Sequence, residues 1–238
     1  MKDIIRIYPD PEMSAAACAA LLDREITRLL ESKPEVSIAL SGGSTPALLY
    51  KVLVESYGDA AWKDKIKLFW VDERCVAPSD PESNYGSAKK LLLDPFGINE
   101  KMIFRIRGEN NPSEEVARYT SLLKEELGEE MQLDLCLLGI GADGHTASIF
   151  PPQIALMEAS LPVAEAKNPS SGQKRITLTG KVINNSLTTI FLAHGREKKE
   201  VLAKILDNRE RESFPAGLVY NAHEGVYWFL DTEVYRLP

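Results

Sequence analysis

An α/β fold with a mostly parallel sheet flanked by helices follows from three features of the sequence. Short apolar runs alternate with amphipathic segments along almost the whole chain. The run LDLCLLGI, from Leu133, has the near-continuous apolar character of a strand buried on both faces. The 238 residues suit one large domain, and no internal repeat or low-complexity tract divides them, so 1–238 is read as a single domain.

The elements follow in order. Residues 11–31 read as an amphipathic helix behind Asp10 and the prolines Pro9 and Pro11. Residues 36–40 form a strand that runs into SGGSTP, and 47–55 a helix. Residues 66–71 form a strand running into DERC, with a long polar loop behind it. A short helix is predicted over 84–93, a strand over 102–106 and a helix over 112–130, whose Pro112 suits a first turn. Strands at 133–138, 175–178 and 189–193, a helix at 197–206 and a closing strand at 226–230 complete the set. Residues 151–174 carry four prolines and the NPSSG stretch, and read as an irregular excursion over the ligand-binding end.

Composition narrows the function. A net charge of −7 argues against general affinity for nucleic acid or anionic membranes, yet leaves room for a local basic pocket. The three cysteines, Cys18, Cys75 and Cys136, show neither a disulfide framework nor metal-ligand spacing. The apolar stretch 15–22 is too short to span a bilayer and lacks the flanks of a signal peptide. A cytoplasmic protein without metal or cofactor is expected.

Four motifs carry chemistry. Ser41, Gly42, Gly43, Ser44 and Thr45 lie between a strand and a helix, where small residues, hydroxyls and a helix N-terminus favour an anion. A turn capped by Ser or Thr reads equally well there, and the lysine of a nucleoside-triphosphate loop is missing. Asp72, Glu73 and Arg74 crowd one strand end, and Arg74 suits a phosphate or carboxylate. Asp143 and His145 follow the 133–138 strand among Gly139, Gly141 and Gly144, placing a carboxylate and a proton-transfer group where open α/β sheets bind ligands. Those glycines match a dinucleotide fingerprint, but Pro151 and Pro152 stop the helix that such a site requires. Arg175 and Lys198 stand near strand ends of what reads as the same sheet, and Lys198 opposes a helix dipole. Lys199 reads as solvated; His194 and His223 read as structural or exposed.

Taken together, SGGSTP, VDER with SNYGSAKKLLL, LGIGADGHTASIFP, RITLT with VIN, and the GREK segment at Gly195 resemble the 6-phosphogluconolactonase family, whose wider group includes glucosamine-6-phosphate deaminase. The resemblance runs in order from Ser41 to Lys198. It implies a modified Rossmann-like fold and metal-free hydrolysis of 6-phospho-D-glucono-1,5-lactone in the oxidative pentose phosphate pathway. It gives His145 as the general base that activates water, Asp143 as its support and Arg74 beside the lactone. Arg175, Lys198 and the 41–45 loop then hold the phosphate. The implied partner is a small phosphosugar lactone, the implied state a monomer or weak homodimer.

Two alternatives stand beside this. The deaminase pattern carries DEY at the DER position and a glutamate five places after the histidine, where this chain has Phe150. A non-catalytic sugar-phosphate sensor needs the cations but no base, and so leaves Asp143 and His145 unexplained.

Overall fold

The computed structural model describes residues 2–207 and 209–235. Its centre is a seven-stranded sheet in which every neighbouring pair is parallel. The chain enters it by β1 (Asp3–Tyr8) and continues through α1 (Pro11–Leu30) and β2 (Val36–Leu40). Next come α2 (Ser44–Tyr57), β3 (Ile66–Trp70) and the short β4 (Asp72–Arg74). A helical stretch follows: α3 (Asn84–Ala88), a π turn at Lys89–Leu93, and α4 (Asp94–Phe96). β5 (Ile103–Phe104), α5 (Pro112–Leu127), β6 (Leu135–Leu138) and β7 (Val163–Lys167) come next, then β8 (Lys174–Leu178), α6 (Gly180–Ile183), β9 (Thr188–Ala193), α7 (Lys199–Leu206) and β10 (Val226–Asp231).

Local chemistry explains the main elements. Asp10 caps α1 by accepting the Met13 N–H at 2.7 Å, with Pro11 in the first turn. β2, β6 and β9 are buried at every position, as parallel strands covered on both faces must be. α1 packs on α2 and on β10. Gly97 ends α4 in the left-handed conformation that glycine adopts without strain.

The strand order is β1-β10-β9-β6-β2-β3-β5. From the centre the chain steps outward from β2 through β3 to β5, and from β6 through β9 to β10. The order therefore reverses between β2 and β6, and a crevice opens there at the carboxyl ends.

A second sheet, β4-β8-β7, is antiparallel and differs from expectation. It takes Arg175 out of the main sheet, whereas the sequence had put Arg175 and Lys198 near strand ends of one sheet. It also gives the 151–174 stretch a 3-10 helix at Pro151–Met157 and the strand β7, VAEAK, whose alanines and charges signal a strand poorly. Val71 joins the sheets: its N–H donates to Leu40 O at 3.0 Å and its carbonyl accepts from Leu178 N at 2.7 Å. β1 was also unforeseen, being a half-buried edge strand with only β10 beside it. The predicted helices 84–93 and 197–206 are each broken, by the π turn and by a 3-10 turn at Arg196–Lys198.

Tyr119 fixes the place where β3 leaves the sheet. β5 pairs only with Leu68 and Phe69, so Trp70 lies beyond its reach. The buried Tyr119 hydroxyl accepts the Trp70 N–H and donates to the Trp70 carbonyl, both at 3.0 Å. We expect Tyr119→Phe to cost about 1–3 kcal/mol, because it removes the partner of buried backbone groups. The check is urea unfolding, with a lower midpoint at unchanged slope; an unchanged midpoint would assign the hydroxyl no such role.

Candidate active site

Four neighbouring strands deliver the site from their carboxyl ends. β3 leads through β4 to Arg74, and β2 leads to Ser41–Thr45. β6 leads to the loop holding Asp143 and His145, and β9 leads to Lys198. Ser41 Oγ donates to Leu137 O at 3.0 Å and so ties the ends of β2 and β6 across the crevice. The resulting cleft, about 270 Å³, is lined by Ser41, Gly42, Gly43, Ser44, Thr45, Arg74, His145, Arg175 and Lys198, while Asp143 and Glu73 stand outside the lining and Asp143 holds His145 through Nδ1. Asn84, Ser148, Phe150 and Asn168 also line it.

Between β2 and α2 the two sequence readings are separated by the cap. Gly43 is the N-cap, at φ 105°, and no side chain caps α2. The 14-residue helix thus directs its first turn at the cleft without a serine or threonine closing it, the arrangement that favours an anion. Gly42 leaves the space that the Asn84 amide fills, since a Cβ there would meet Asn84 Oδ1 at 1.8 Å. Lys198 Nζ stands 3.4 Å from Thr45 Oγ1 and 4.0 Å from Glu197. Burial pushes its pKa down, against the weaker opposing pull of Glu197 and Asp231.

Arg74 and Arg175 face each other in the β4–β8 register. Like charges directly opposite in an antiparallel pair are destabilising. Each guanidinium also has a buried Nε without a hydrogen-bond partner among the described residues. Burial lowers the Arg175 pKa and Arg74 lowers it further, with Asp72, Glu82 and Glu73 opposing. Two crowded, partly unsatisfied arginines on a cleft wall form a ready anion receptor.

The carboxylates beside them serve structure. Glu73 accepts from the backbone N–H groups of Arg74, Asn84 and Tyr85, each at 2.8 Å, and so holds α3 against β4. Burial raises its pKa, and those three bonds oppose the rise. Asp72 accepts from Ser148 Oγ at 2.5 Å and from Asn84 Nδ2 at 3.1 Å.

After β6 the chain folds back on itself. Gly141 N donates to His145 O at 3.0 Å, and Thr146 Oγ1 to Gly139 O at 2.9 Å. A Cβ on Gly141 would lie 2.2 Å from the His145 ring, so glycine leaves the space the imidazole fills. Asp143 Oδ1 lies 2.5 Å from His145 Nδ1. Burial works to raise the Asp143 pKa, but the hydrogen bond and charge of His145 outweigh it and hold the carboxyl below its usual range. With Nδ1–H committed to Asp143, Nε2 is the basic nitrogen of the neutral ring. Phe150 stacks obliquely on that ring, 4.7 Å between centroids.

Motif reading passed over Asn84, Ser148 and Asn168, since a lone amide or hydroxyl carries no signal of its own. His194 is buried, with Nε2 unpartnered among the described residues, while Lys199 is exposed as expected.

Comparison with known proteins gives consistent matches. The family model described as glucosamine-6-phosphate isomerases/6-phosphogluconolactonase covers residues 9–228. A 6-phosphogluconolactonase of Aggregatibacter actinomycetemcomitans is 41% identical over 202 residues, 84% of this chain and 86% of its own. The crystal structure of 6-phosphogluconolactonase from Thermotoga maritima superposes at a TM-score of 0.86 with 26% identity, covering 97% of this chain and 100% of the other. A monomeric glucosamine-6-phosphate deaminase shares the fold at a TM-score of 0.82 and 23% identity, covering 98% of each chain. The fold alone therefore does not separate the two activities.

Desolvating a half-buried cation opposes folding. For Lys198 the folded pKa lies below the unfolded one, so the penalty is full at neutral pH. It is relieved only as pH rises through the folded value toward the unfolded one. Lys198→Met should therefore melt higher than wild type in anion-free buffer near pH 7. We expect inorganic phosphate to raise the wild-type melting temperature and to raise that of Lys198→Met much less. Thermal melts with and without phosphate check this; a variant that melts lower, or gains as much from phosphate, contradicts it.

Proposed function

Since the chain belongs to the glucosamine-6-phosphate isomerase/6-phosphogluconolactonase family, we infer that it hydrolyses 6-phospho-D-glucono-1,5-lactone to 6-phospho-D-gluconate, the lactone-opening step of the oxidative pentose phosphate pathway. The observation that carries this reading is the pairing of His145 with Asp143 on the wall of a cleft that also gathers Arg74, Arg175 and Lys198. One small cavity thus holds a base and receptors for an anionic substrate.

In the proposed reaction the phosphate sits on the Ser41–Thr45 loop with Lys198 and Arg175, while Arg74 steadies the lactone. His145 Nε2 takes a proton from water as its oxygen attacks C1. Asp143 stabilises the imidazolium that forms, as a carboxylate fixed on the far ring nitrogen does. Arg74 offsets the charge that develops on the carbonyl oxygen. Collapse of the tetrahedral intermediate breaks the C1–ring oxygen bond. The imidazolium returns its proton to the departing oxygen, and the acid product ionises. Neither a covalent nucleophile nor a metal is needed, and the expected partner is the phosphosugar lactone alone. We also propose a cytoplasmic protein that acts as a monomer or weak homodimer.

Phe150 argues against the deaminase alternative. It occupies the fifth position after His145, where the deaminase pattern has glutamate, and packs its ring on the imidazole. An aldose–ketose conversion moves protons between carbons and requires further acid–base groups, which a phenyl ring does not supply. A sugar-phosphate sensor would have no use for a histidine oriented by a carboxylate.

The test is the opening of freshly made 6-phosphogluconolactone, corrected for spontaneous hydrolysis, in the presence of EDTA. We expect wild-type turnover, negligible ammonia release from glucosamine 6-phosphate, and a kcat lowered about 10²–10⁴-fold by His145→Gln with product binding retained. Asp143 stays ionised below the ordinary carboxylate range, so mild acidification leaves its hold on the ring in place. Near-normal kcat in His145→Gln would remove the histidine from the chemistry, and dependence on a divalent ion would refute the metal-free scheme.

A further inference from the structure

The tip of the β7–β8 hairpin reaches the mouth of the cleft and presents one amide there. Asn168 Oδ1 accepts the backbone N–H groups of Ser170 and Ser171, at 2.9 and 3.0 Å. Two N–H donors on that atom identify it as the oxygen, so the orientation of the side chain is settled by its partners. Nδ2 is then the polar atom left over. It has no protein partner among the described residues, and Asn168 lines the cleft.

The tip is braced on both sides. Gln153 Oε1 accepts from Lys167 N at 3.1 Å, and Gln173 Nε2 donates to Glu82 Oε2 at 2.7 Å. The Glu82 carbonyl in turn accepts from Arg74 Nη1 at 2.6 Å. Asn168 is thus held in a frame that includes the arginine wall, as a group intended to recognise a ligand must be. Phe150 and Asn168 are the two residues shared by the cleft and the shallower groove outside the hairpin. Phe150 packs on His145. Asn168 therefore borders the cleft near Phe150, just past the strand pair that sets Ala166 opposite Arg175, while Lys198 is grouped with Thr45.

We propose that Asn168 is a specificity-determining residue whose Nδ2–H donates to the C2 hydroxyl of the lactone. The inference rests on the lactonase reading. The reacting carbonyl, C1, must lie within reach of His145, and the hydroxyl on the adjacent carbon is the nearest hydroxyl of the sugar to it. A neutral donor recognises that hydroxyl without competing with the cations for the phosphate.

The experiment compares 6-phosphogluconolactone with its 2-deoxy analogue, each rate divided by the spontaneous opening rate of the same lactone. Wild type should prefer the parent by about tenfold in kcat/KM, the value of one ordinary hydrogen bond. Asn168→Ala should bring that ratio near one by losing efficiency on the parent alone. Asn168→Asp keeps an oxygen for the two turn N–H groups but offers no donor. Its added charge lowers both rates, so the ratio is the readout, and it too should approach one. A wild type indifferent to the C2 hydroxyl, or variants that keep the wild-type ratio, would overturn the assignment. Failure of wild type to open the parent above the spontaneous rate would overturn the lactonase reading itself, a separate and earlier result.

Discussion

The hydrogen bond between His145 Nδ1 and Asp143 Oδ1, 2.5 Å long, decides which ring nitrogen faces the cleft, and much of the surrounding backbone exists to hold it. Gly141 gives the ring its space, and Gly144 adopts φ +82° where a side chain would strike the Phe214 ring. Ala147 holds φ +49°, a left-handed conformation that costs a non-glycine residue about 1–2 kcal/mol. Such strain persists where neighbouring contacts over-determine it. Here they are Thr146 bonded to Gly139 on one side, and Ser148 bonded to Asp72 and Thr177 on the other. The loop after β6 is therefore tied to the neighbouring sheet on both sides of His145.

The second constraint is charge. The chain carries a net charge of −7, yet Arg74, Arg175 and Lys198 share one small cleft. Register sets the two arginines against each other, and burial disfavours the charged forms of Arg175 and Lys198. These arrangements oppose stability. A bound dianion reverses the sign of all three, so binding draws on interactions that folding has left unsatisfied. Electrostatic preorganisation of this kind requires no reorientation when substrate arrives.

Much of this was legible in the sequence because it is local. Continuous apolar runs mark β2, β6 and β9, and the glycine-rich stretches after β2 and β6 mark the strand ends that meet at the reversal of strand order. Long-range features were less legible. The pairing of Arg74 with Arg175 depends on an antiparallel sheet whose strand β7 is poor in β-forming residues. The edge strand β1 is half-buried and joins the sheet only through the distant β10. Asn168 begins the NPSSG stretch, which reads as an irregular turn, and only the structure shows that its Oδ1 is taken by the N–H groups of Ser170 and Ser171. The glycine pattern at Gly139, Gly141 and Gly144 resembles a dinucleotide site in sequence only, since the chain runs into a 3-10 helix at Pro151.

The central claim, that Asp143 fixes His145 as a neutral base with Nε2 toward the cleft, is tested most directly by nitrogen-15 NMR of the histidine rings at neutral pH, with His145→Gln assigning the signal. We expect His145 to carry its proton on Nδ1, with Nε2 showing the shift of an unprotonated ring nitrogen, and Asp143→Asn to disturb that state. A His145 ring protonated on Nε2 instead, or a tautomer unaffected by Asp143→Asn, would contradict it.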